Sequence, residues 1–158
     1  MASNLIIPII NGISDALHTI NPDAKIYTDT PDNVQPNDAG YFLIQGPISI
    51  TETRFLKSRH QLRLMFDIMY FPPDMAAADT GLLSTAAFAM SEELYQIIPA
   101  EQTEAGYTKR QRGSRGYGRT VEIEDGVVHL LTSYDLWVTT PQKKELVQSV
   151  TITFGKHE

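Results

Sequence analysis

One stretch of alternating residues, Arg59 to Phe71, constrains the fold of this chain more than any other feature of its sequence. Alternation with a period of two is typical of a β-strand, and Pro72-Pro73 ends the predicted strand sharply. Its apolar face consists of Leu62, Leu64, Phe66, Ile68 and Tyr70, and its mixed face of Arg63, Met65, Asp67, Met69 and Phe71. A strand with two partly apolar faces is expected at the centre of a sheet, or beneath a helix or a neighbouring subunit.

Two other stretches have the spacing of amphipathic helices. The first runs from about Asn4 to Ile20. Pro8 fits a helix only in its first turn, so the pattern favours a start later than Asn4. The second is predicted from about Thr80 to Ile98, with Asp79 as its N-cap and Pro99 as its end. Its predicted buried stripe is Leu83, Ala86, Ala87, Met90, Leu94 and Ile97.

The remaining segments predict more strands with short connections. They are Lys25 to Thr28, Tyr41 to Phe55, Tyr117 to Glu124, Val127 to Thr139 and Leu146 to Phe154. Gly46-Pro47 interrupts the second of these, and Asp125-Gly126 suits a type I′ hairpin turn. The polar stretch from Asp29 to Gly40 is predicted to be a loop. Short links favour antiparallel pairing, so we expect an α+β fold. The predicted fold is a mostly antiparallel sheet with two main helices packed against it, and we expect it to form a single domain over residues 1–158.

Composition limits the classes of function. The chain has 158 residues, a net charge of −6 and a pI near 5.1, which argues against a generally basic, nucleic-acid-coating surface. The absence of cysteine removes disulfides, thiolate metal sites and cysteine nucleophiles. The apolar patch from Leu5 to Ile10 has no positive residues before it and is too short to span a bilayer. We therefore predict no signal peptide and no membrane span, and a protein that is made and kept in the cytoplasm.

No residues nominate a catalytic, cofactor or metal site, so we expect no enzyme activity, cofactor or metal. The four histidines are His18, His60, His129 and His157, and none has a ligand partner at metal-binding spacing on its own face. No phosphate-binding glycine loop or nucleophile elbow is present. Asp67 stands out because an unpaired carboxylate on a covered face is costly. We expect it to pair with an arginine such as Arg63, within one subunit or across an interface.

The most unusual local feature is the basic, glycine-rich stretch from Lys109 to Arg119. It concentrates five cations in an acidic chain: Lys109, Arg110, Arg112, Arg115 and Arg119. The glycines predict a flexible loop over about 109–119, and Tyr117 is available for stacking. Three interpretations remain open: contact with nucleic-acid phosphates, an anchor on an acidic protein surface, or a solvated loop. A ring around a DNA channel satisfies the first two together.

The segment Phe66-Asp67-Ile68-Met69-Tyr70-Phe71-Pro72 resembles one found in the tail terminators of phages and prophages of Gram-positive hosts. Three other parts fit in order. They are the N-terminal helix leading into Lys25-Ile26-Tyr27, the helix before Leu94-Tyr95, and the hairpin from Glu124 to His129 followed by Tyr134 to Val138. The resemblance covers most of the chain. The loop from Asp29 to Gly40 and the basic stretch depart from the family pattern.

The resemblance implies a structural virion protein of the neck region, assembled in the host cytoplasm. Copies of such a protein, usually six, form a ring on the head-proximal end of the tail tube, stop tube growth and provide the surface for head–tail joining. The implied partners are further copies, the tail tube protein and the head–tail connector protein. A contractile tail adds the sheath or a sheath-end protein. Non-specific contact with DNA in the lumen is a further expectation, and no membrane is involved.

The resemblance also suggests which residues make contacts. The interface candidates are Arg59, Arg63, Asp67, Tyr70 and Phe71, and Gly46-Pro47 is expected in core and ring packing. The lumen or partner-contact candidates are Lys109, Arg110, Arg112, Arg115, Tyr117 and Arg119. Two alternatives stay open: another head–tail connector or neck protein, such as a stopper or completion protein, and a nucleic-acid-binding module that uses the basic stretch.

Overall fold

The computed structural model describes residues 2–29, 40–54, 59–73, 79–103, 106–109 and 113–139. The two helices are α1 (Ala2–Ile20) and α2 (Thr80–Glu93). The strands are β1 (Lys25–Tyr27), β2 (Tyr41–Arg54), β3 (Arg59–Phe71), β4 (Gln96–Ile97), β5 (Ala100–Thr103), β6 (Gly106–Lys109), β7 (Ser114–Glu124) and β8 (Val127–Thr139). The predicted strand from Leu146 to Phe154 and most of the predicted loop from Asp29 to Gly40 lie outside the described residues.

Six strands form one sheet in the order β1-β2-β3-β8-β7-β4, and β5 pairs with β6 as a separate hairpin. β1 runs parallel to β2, and every other described pair is antiparallel. β3 lies between β2 and β8, which explains its two partly apolar faces. The predicted α+β class, a mostly antiparallel sheet with two helices packed against it, is confirmed.

Both helices pack on the same face of the sheet and bury the hydrophobic core there. The largest fully buried side chains are Ile9, Ile13, Leu17, Phe42, Ile44, Leu64, Phe66, Ile68, Met90, Leu94, Ile97 and Tyr134. The apolar face predicted for β3 is this inner face: Leu64, Phe66 and Ile68 are fully buried. The Tyr134 hydroxyl donates a hydrogen bond of 2.6 Å to the Leu94 carbonyl inside this core. Burial raises the pKa of Tyr134 well above its usual range.

The first helix differs from the prediction at its start. α1 begins at Ala2 and holds Pro8 inside the helix, although the sequence favoured a start that put this proline in the first turn. Pro8 has no N–H, so one hydrogen bond of the helix is lost. Pro8 and Ile9 are both buried. Packing of this apolar face offsets the lost bond, because tertiary contacts supply most of the stability of helices in proteins.

The second helix ends five residues before the predicted end at Ile98, so that prediction was wrong. The backbone after Glu93 finds partners outside the helix. The Leu94 carbonyl accepts from Tyr134, and the Tyr95 carbonyl accepts from the Gly116 N–H at 2.7 Å. Gln96-Ile97 then pairs with β7 as β4. The predicted N-cap is confirmed, because the Asp79 side chain accepts from the backbone N–H of Leu82.

Two predicted backbone features are confirmed. β2 is one long strand whose pairing with β3 shifts register between Gln45 and Ser49, where the Gly46-Pro47 peptide bond is cis. The β7–β8 hairpin turns at Asp125 and Gly126, which have φ of 52° and 76°. A type I′ turn requires positive φ at both of these positions.

Candidate partner-binding face

The sheet face opposite the helices, here called the outer face, carries most of the charged and polar strand residues. The alternation of β3 puts its mixed side there, beside the matching residues of β7 and β8. Tyr70 was an interface candidate, but it is only 6% exposed and belongs to the inner core. Phe71 lies on the outer face, where its ring stacks on Tyr41 at 4.6 Å between centroids.

A polar cluster of three residues, Gln61, Arg63 and Asp135, lies on the outer face where β3 pairs with β8. Arg63 donates to both carboxylate oxygens of Asp135, at 2.7 Å and 2.9 Å, and Gln61 donates to the same carboxylate at 2.8 Å. The Asp135 side chain is 10% exposed and the Arg63 side chain 43%. The hydrogen bond to Asp135 raises the pKa of Arg63. Such bidentate pairs fix side-chain geometry as well as charge.

Asp67 does not pair with Arg63 within the chain, so that prediction was wrong for a single subunit. Each oxygen of its carboxylate lies 3.3 Å from His129 Nδ1. Both side chains are partly exposed. The local sequence gave no indication of this contact, because Asp67 and His129 lie on neighbouring strands and far apart in the chain.

Arginines and aromatic rings alternate from the outer face, around the β7 edge of the sheet, to the end of α2. We call Arg63, Tyr117, Arg115, Tyr95 and Arg119 the arginine–aromatic ladder. The Arg63 guanidinium carbon lies 4.2 Å from the centre of the Tyr117 ring. Arg115 lies 5.6 Å from Tyr117 and 5.4 Å from Tyr95, and Arg119 lies 5.3 Å from Tyr95. Cations within about 6 Å of a ring centre are attracted by its quadrupole, so the two tyrosine rings attract all three arginines.

Apart from Gly113, the described part of the basic stretch is strand, and the predicted flexible loop is wrong from Ser114 onward. Ser114 to Arg119 opens β7, Lys109 ends β6, and residues 110–112 lie outside the described ranges. A Cβ on Gly116 would lie 2.7 Å from Thr132 Oγ1, so this glycine permits close packing. Gly118, with φ of 56°, lies at the register shift between Tyr117 and Thr120.

Arg119 serves the fold rather than an open surface. It is partly buried and donates a hydrogen bond to the Ser91 carbonyl in the last turn of α2. A cation is favourable there, because the last carbonyls of a helix lack partners and carry partial negative charge. The side chain therefore ties β7 to the end of α2, which the sequence did not indicate.

A cavity of about 460 Å³ opens beside the ladder. Its walls include Gln61, Arg115, Tyr117, Asp135 and Trp137. Trp137 is 48% exposed, and Arg59 lies over its ring at 4.5 Å. The walls combine a cation, a carboxylate and aromatic surface, which suits a mixed peptide segment of a partner.

The structure thus brings together four of the predicted contact residues: Arg63, Arg115, Tyr117 and Arg119. Arg59 lies on β3 next to Trp137. The side chains of Lys109, Arg110 and Arg112 are outside the description. Sequence reasoning missed Tyr95 and Trp137 as members of this face. The alternation along β8 could have placed Trp137 on the outer face, because its neighbours Leu136 and Val138 are apolar and are predicted to face the core.

We expect Arg63→Ala to lower the free energy of unfolding by about 1 kcal/mol. The Asp135 carboxylate then keeps only its hydrogen bond from Gln61. The loss is no larger because solvent screens the half-exposed ion pair. Arg63→Lys should cost less than the alanine variant but not restore the parent value, because an ammonium cannot form the bidentate pair. Urea unfolding of both variants measures this. Equal stability of the parent and the alanine variant would show that the pair contributes nothing.

No cluster of three or more histidine or acidic side chains that could hold a metal ion occurs among the residues that the structure describes. Within the same ranges, no helix is both long and apolar enough to cross a membrane.

Fold and face together define a class: a small α+β protein whose sheet has one face covered by helices and one face rich in polar and aromatic residues. A family model described as phage tail terminator protein matches residues 8–145, which is most of the chain. The chain belongs to the phage tail terminator family, as the resemblance of the β3 segment indicated. This family places it among the structural proteins of the phage tail, with other tail or head components as partners. A search of curated proteins finds no match.

Proposed function

We propose that copies of this chain form a ring that caps the head-proximal end of the tail tube, stops tube polymerisation and provides the surface for head–tail joining. Membership of the tail terminator family carries this proposal. A cap works by occupying the addition surface of the tube without presenting an equivalent surface above it. The protein then acts by contact alone, as a non-enzymatic component of the virion neck.

The proposed partners follow from this position. They are further copies in a closed ring, usually six, the tail tube protein and the head–tail connector protein, with the sheath or a sheath-end protein in a contractile tail. The outer face supplies Arg59, Arg63, Asp67 and Phe71 for such contacts. Arg115 and Tyr117, beside the 460 Å³ cavity, are the best placed residues for a partner segment.

The arginine–aromatic ladder favours a protein partner over DNA. Arg63 is held by Asp135, and Arg119 by the Ser91 carbonyl, so both already have ligands within the chain. Phosphate binding would have to compete with these contacts. Non-specific DNA contact in the lumen thus depends on Arg115 and on Lys109, Arg110 and Arg112.

The test is tail length, measured by electron microscopy in particles made with this gene disrupted. We expect over-long, headless tubes of variable length, because nothing ends tube growth. Supplying the parent gene in trans is the control and should restore a single length.

Two other results would change the assignment. Tails of normal length that fail to join filled heads would make the protein a stopper or completion protein. Normal infectious particles would remove both structural roles and return attention to the basic stretch and nucleic acid.

A further inference from the structure

Two edges of the main sheet are open over much of their length in the described part of the chain. From Ser49 onward, β2 pairs with β3 alone, because β1 reaches only Tyr41 to Leu43. From Gly118 onward, β7 pairs with β8 alone, because β4 reaches only Ser114 and Arg115. Exposed strand edges carry backbone donors and acceptors that readily pair with another chain.

Each open edge carries exposed aliphatic or aromatic residues. The β2-edge patch is Ile48 and Ile50, which are 50% and 55% exposed. The β7-edge patch is Phe88, Val121 and Ile123, which are 75%, 37% and 46% exposed. Adjacent exposed apolar side chains favour an interaction surface over scattered surface residues.

Both patches lie on the helix side of the sheet. Ile50 is opposite the buried Leu64 in the register of β2 and β3. Val121 is opposite the buried Leu130, and Ile123 opposite the buried Val128. The strand residues of the two patches therefore continue the inner apolar face toward the open edges of the sheet.

The β7-edge patch surrounds a groove of about 280 Å³ between α2 and β7. Its lining is Ser84, Ala87, Phe88, Ser91, Val121 and Ile123, with no charged side chain among them. Small residues on the α2 wall leave room for inserted side chains. Aliphatic groups suit such a groove, because a charge placed there would lose its hydration without gaining a partner.

We propose that the β2-edge patch of one copy docks in the groove of the β7-edge patch of the next copy, and that this contact closes the ring. The inference rests on the proposed function, and it names the surfaces that hold neighbouring copies together. Closed rings use heterologous contacts, in which two different patches of one subunit meet. This chain carries one such patch at each of two opposite edges of its sheet.

The register of the strands also fixes where the two patches lie along the strand direction. Ile50 is level with Leu64 and Tyr134 across the sheet, whereas Val121 is level with Leu130. The two patches therefore lie at different heights along the strands. Neighbouring copies must be offset along the strand direction, and tilted strands produce an offset of this kind when sheets are arranged around an axis.

Cysteine cross-linking tests the contact directly, because the chain contains no cysteine. Ile50→Cys and Ile123→Cys chains are expressed together in a host that lacks the parent gene, and purified tails are treated with a short bismaleimide. We expect dimers from the mixture and none from either variant alone. The double variant should give a ladder that stops at the ring size. Ile48→Cys replaces Ile50→Cys if that variant assembles poorly.

The control is Ile98→Cys, because Ile98 is 45% exposed but lies outside both patches. It should give no dimers with Ile50→Cys. Dimers from Ile50→Cys or Ile123→Cys alone would overturn the proposal and indicate like-with-like contact. Tails of normal length without mixed dimers would overturn it while leaving the terminator role intact. Normal tails after gene disruption would instead remove the proposed function itself.

Discussion

Phe66→Ala should lower the free energy of unfolding by about 3–5 kcal/mol, the range typical of a phenylalanine truncated in a closed core. Phe66 is fully buried on the inner face of β3, the strand held on both sides by β2 and β8. Its ring lies 6.3 Å from that of Tyr134, measured between centroids. The central strand cannot move to fill the cavity, since both of its neighbours fix its register. Chemical unfolding in urea measures the change.

The matched control is Phe88→Ala, which makes the same substitution at a ring that is 75% exposed. The unfolding free energy of the isolated chain should then change by less than about 0.5 kcal/mol. The same variant should weaken assembly on tails, because Phe88 belongs to the β7-edge patch. Similar losses of stability for both variants would contradict the arrangement of the core.

Tyr134→Phe is expected to cost about 1–3 kcal/mol, although it removes a single oxygen. The Tyr134 side chain is fully buried, and its hydroxyl is the donor to the Leu94 carbonyl at the C-cap of α2. Without it, this carbonyl stays buried with no replacement for the hydrogen bond. Hydrogen exchange at the end of α2 should increase along with the loss of global stability. An unchanged unfolding free energy would mean that water or a backbone shift replaces the bond.

The pH dependence gives a second readout of the same residue. Burial raises the pKa of Tyr134, so its hydroxyl stays protonated in the folded chain while the unfolded chain ionises near the ordinary value of 10.0. Unfolding then becomes easier as the pH rises above that value, because the unfolded state releases protons. The phenylalanine variant lacks this group. The stability difference between parent and variant should therefore shrink above about pH 10.

Neither the partner of Asp67 nor the conformation of the basic stretch could be predicted from the sequence alone. The cost of an unpaired carboxylate correctly indicated that Asp67 needs a partner, but its partner His129 is 62 residues away in the chain. The glycines of the basic stretch indicated flexibility, yet Gly116 and Gly118 serve a close approach and a register shift in β7. In both cases the residue types were informative, and the neighbours that decide their role were not local.

The sequence by itself determined the features that depend on a few adjacent residues. These include the bounds of β3, the turn at Asp125-Gly126 and the N-cap at Asp79. Strand alternation, turn dihedrals and capping bonds all act over short stretches of chain.

Only the tertiary structure decided where α2 ends, which residues build the arginine–aromatic ladder, and which sheet edges stay open among the described strands. The end of α2 depends on Tyr134, which lies 40 residues beyond Leu94. Hydrogen bonds and packing between such distant residues compete with local helix propensity. The buried contacts prevail, because a buried carbonyl without a partner costs about 1–3 kcal/mol, whereas helix propensities differ by less than about 1 kcal/mol per residue.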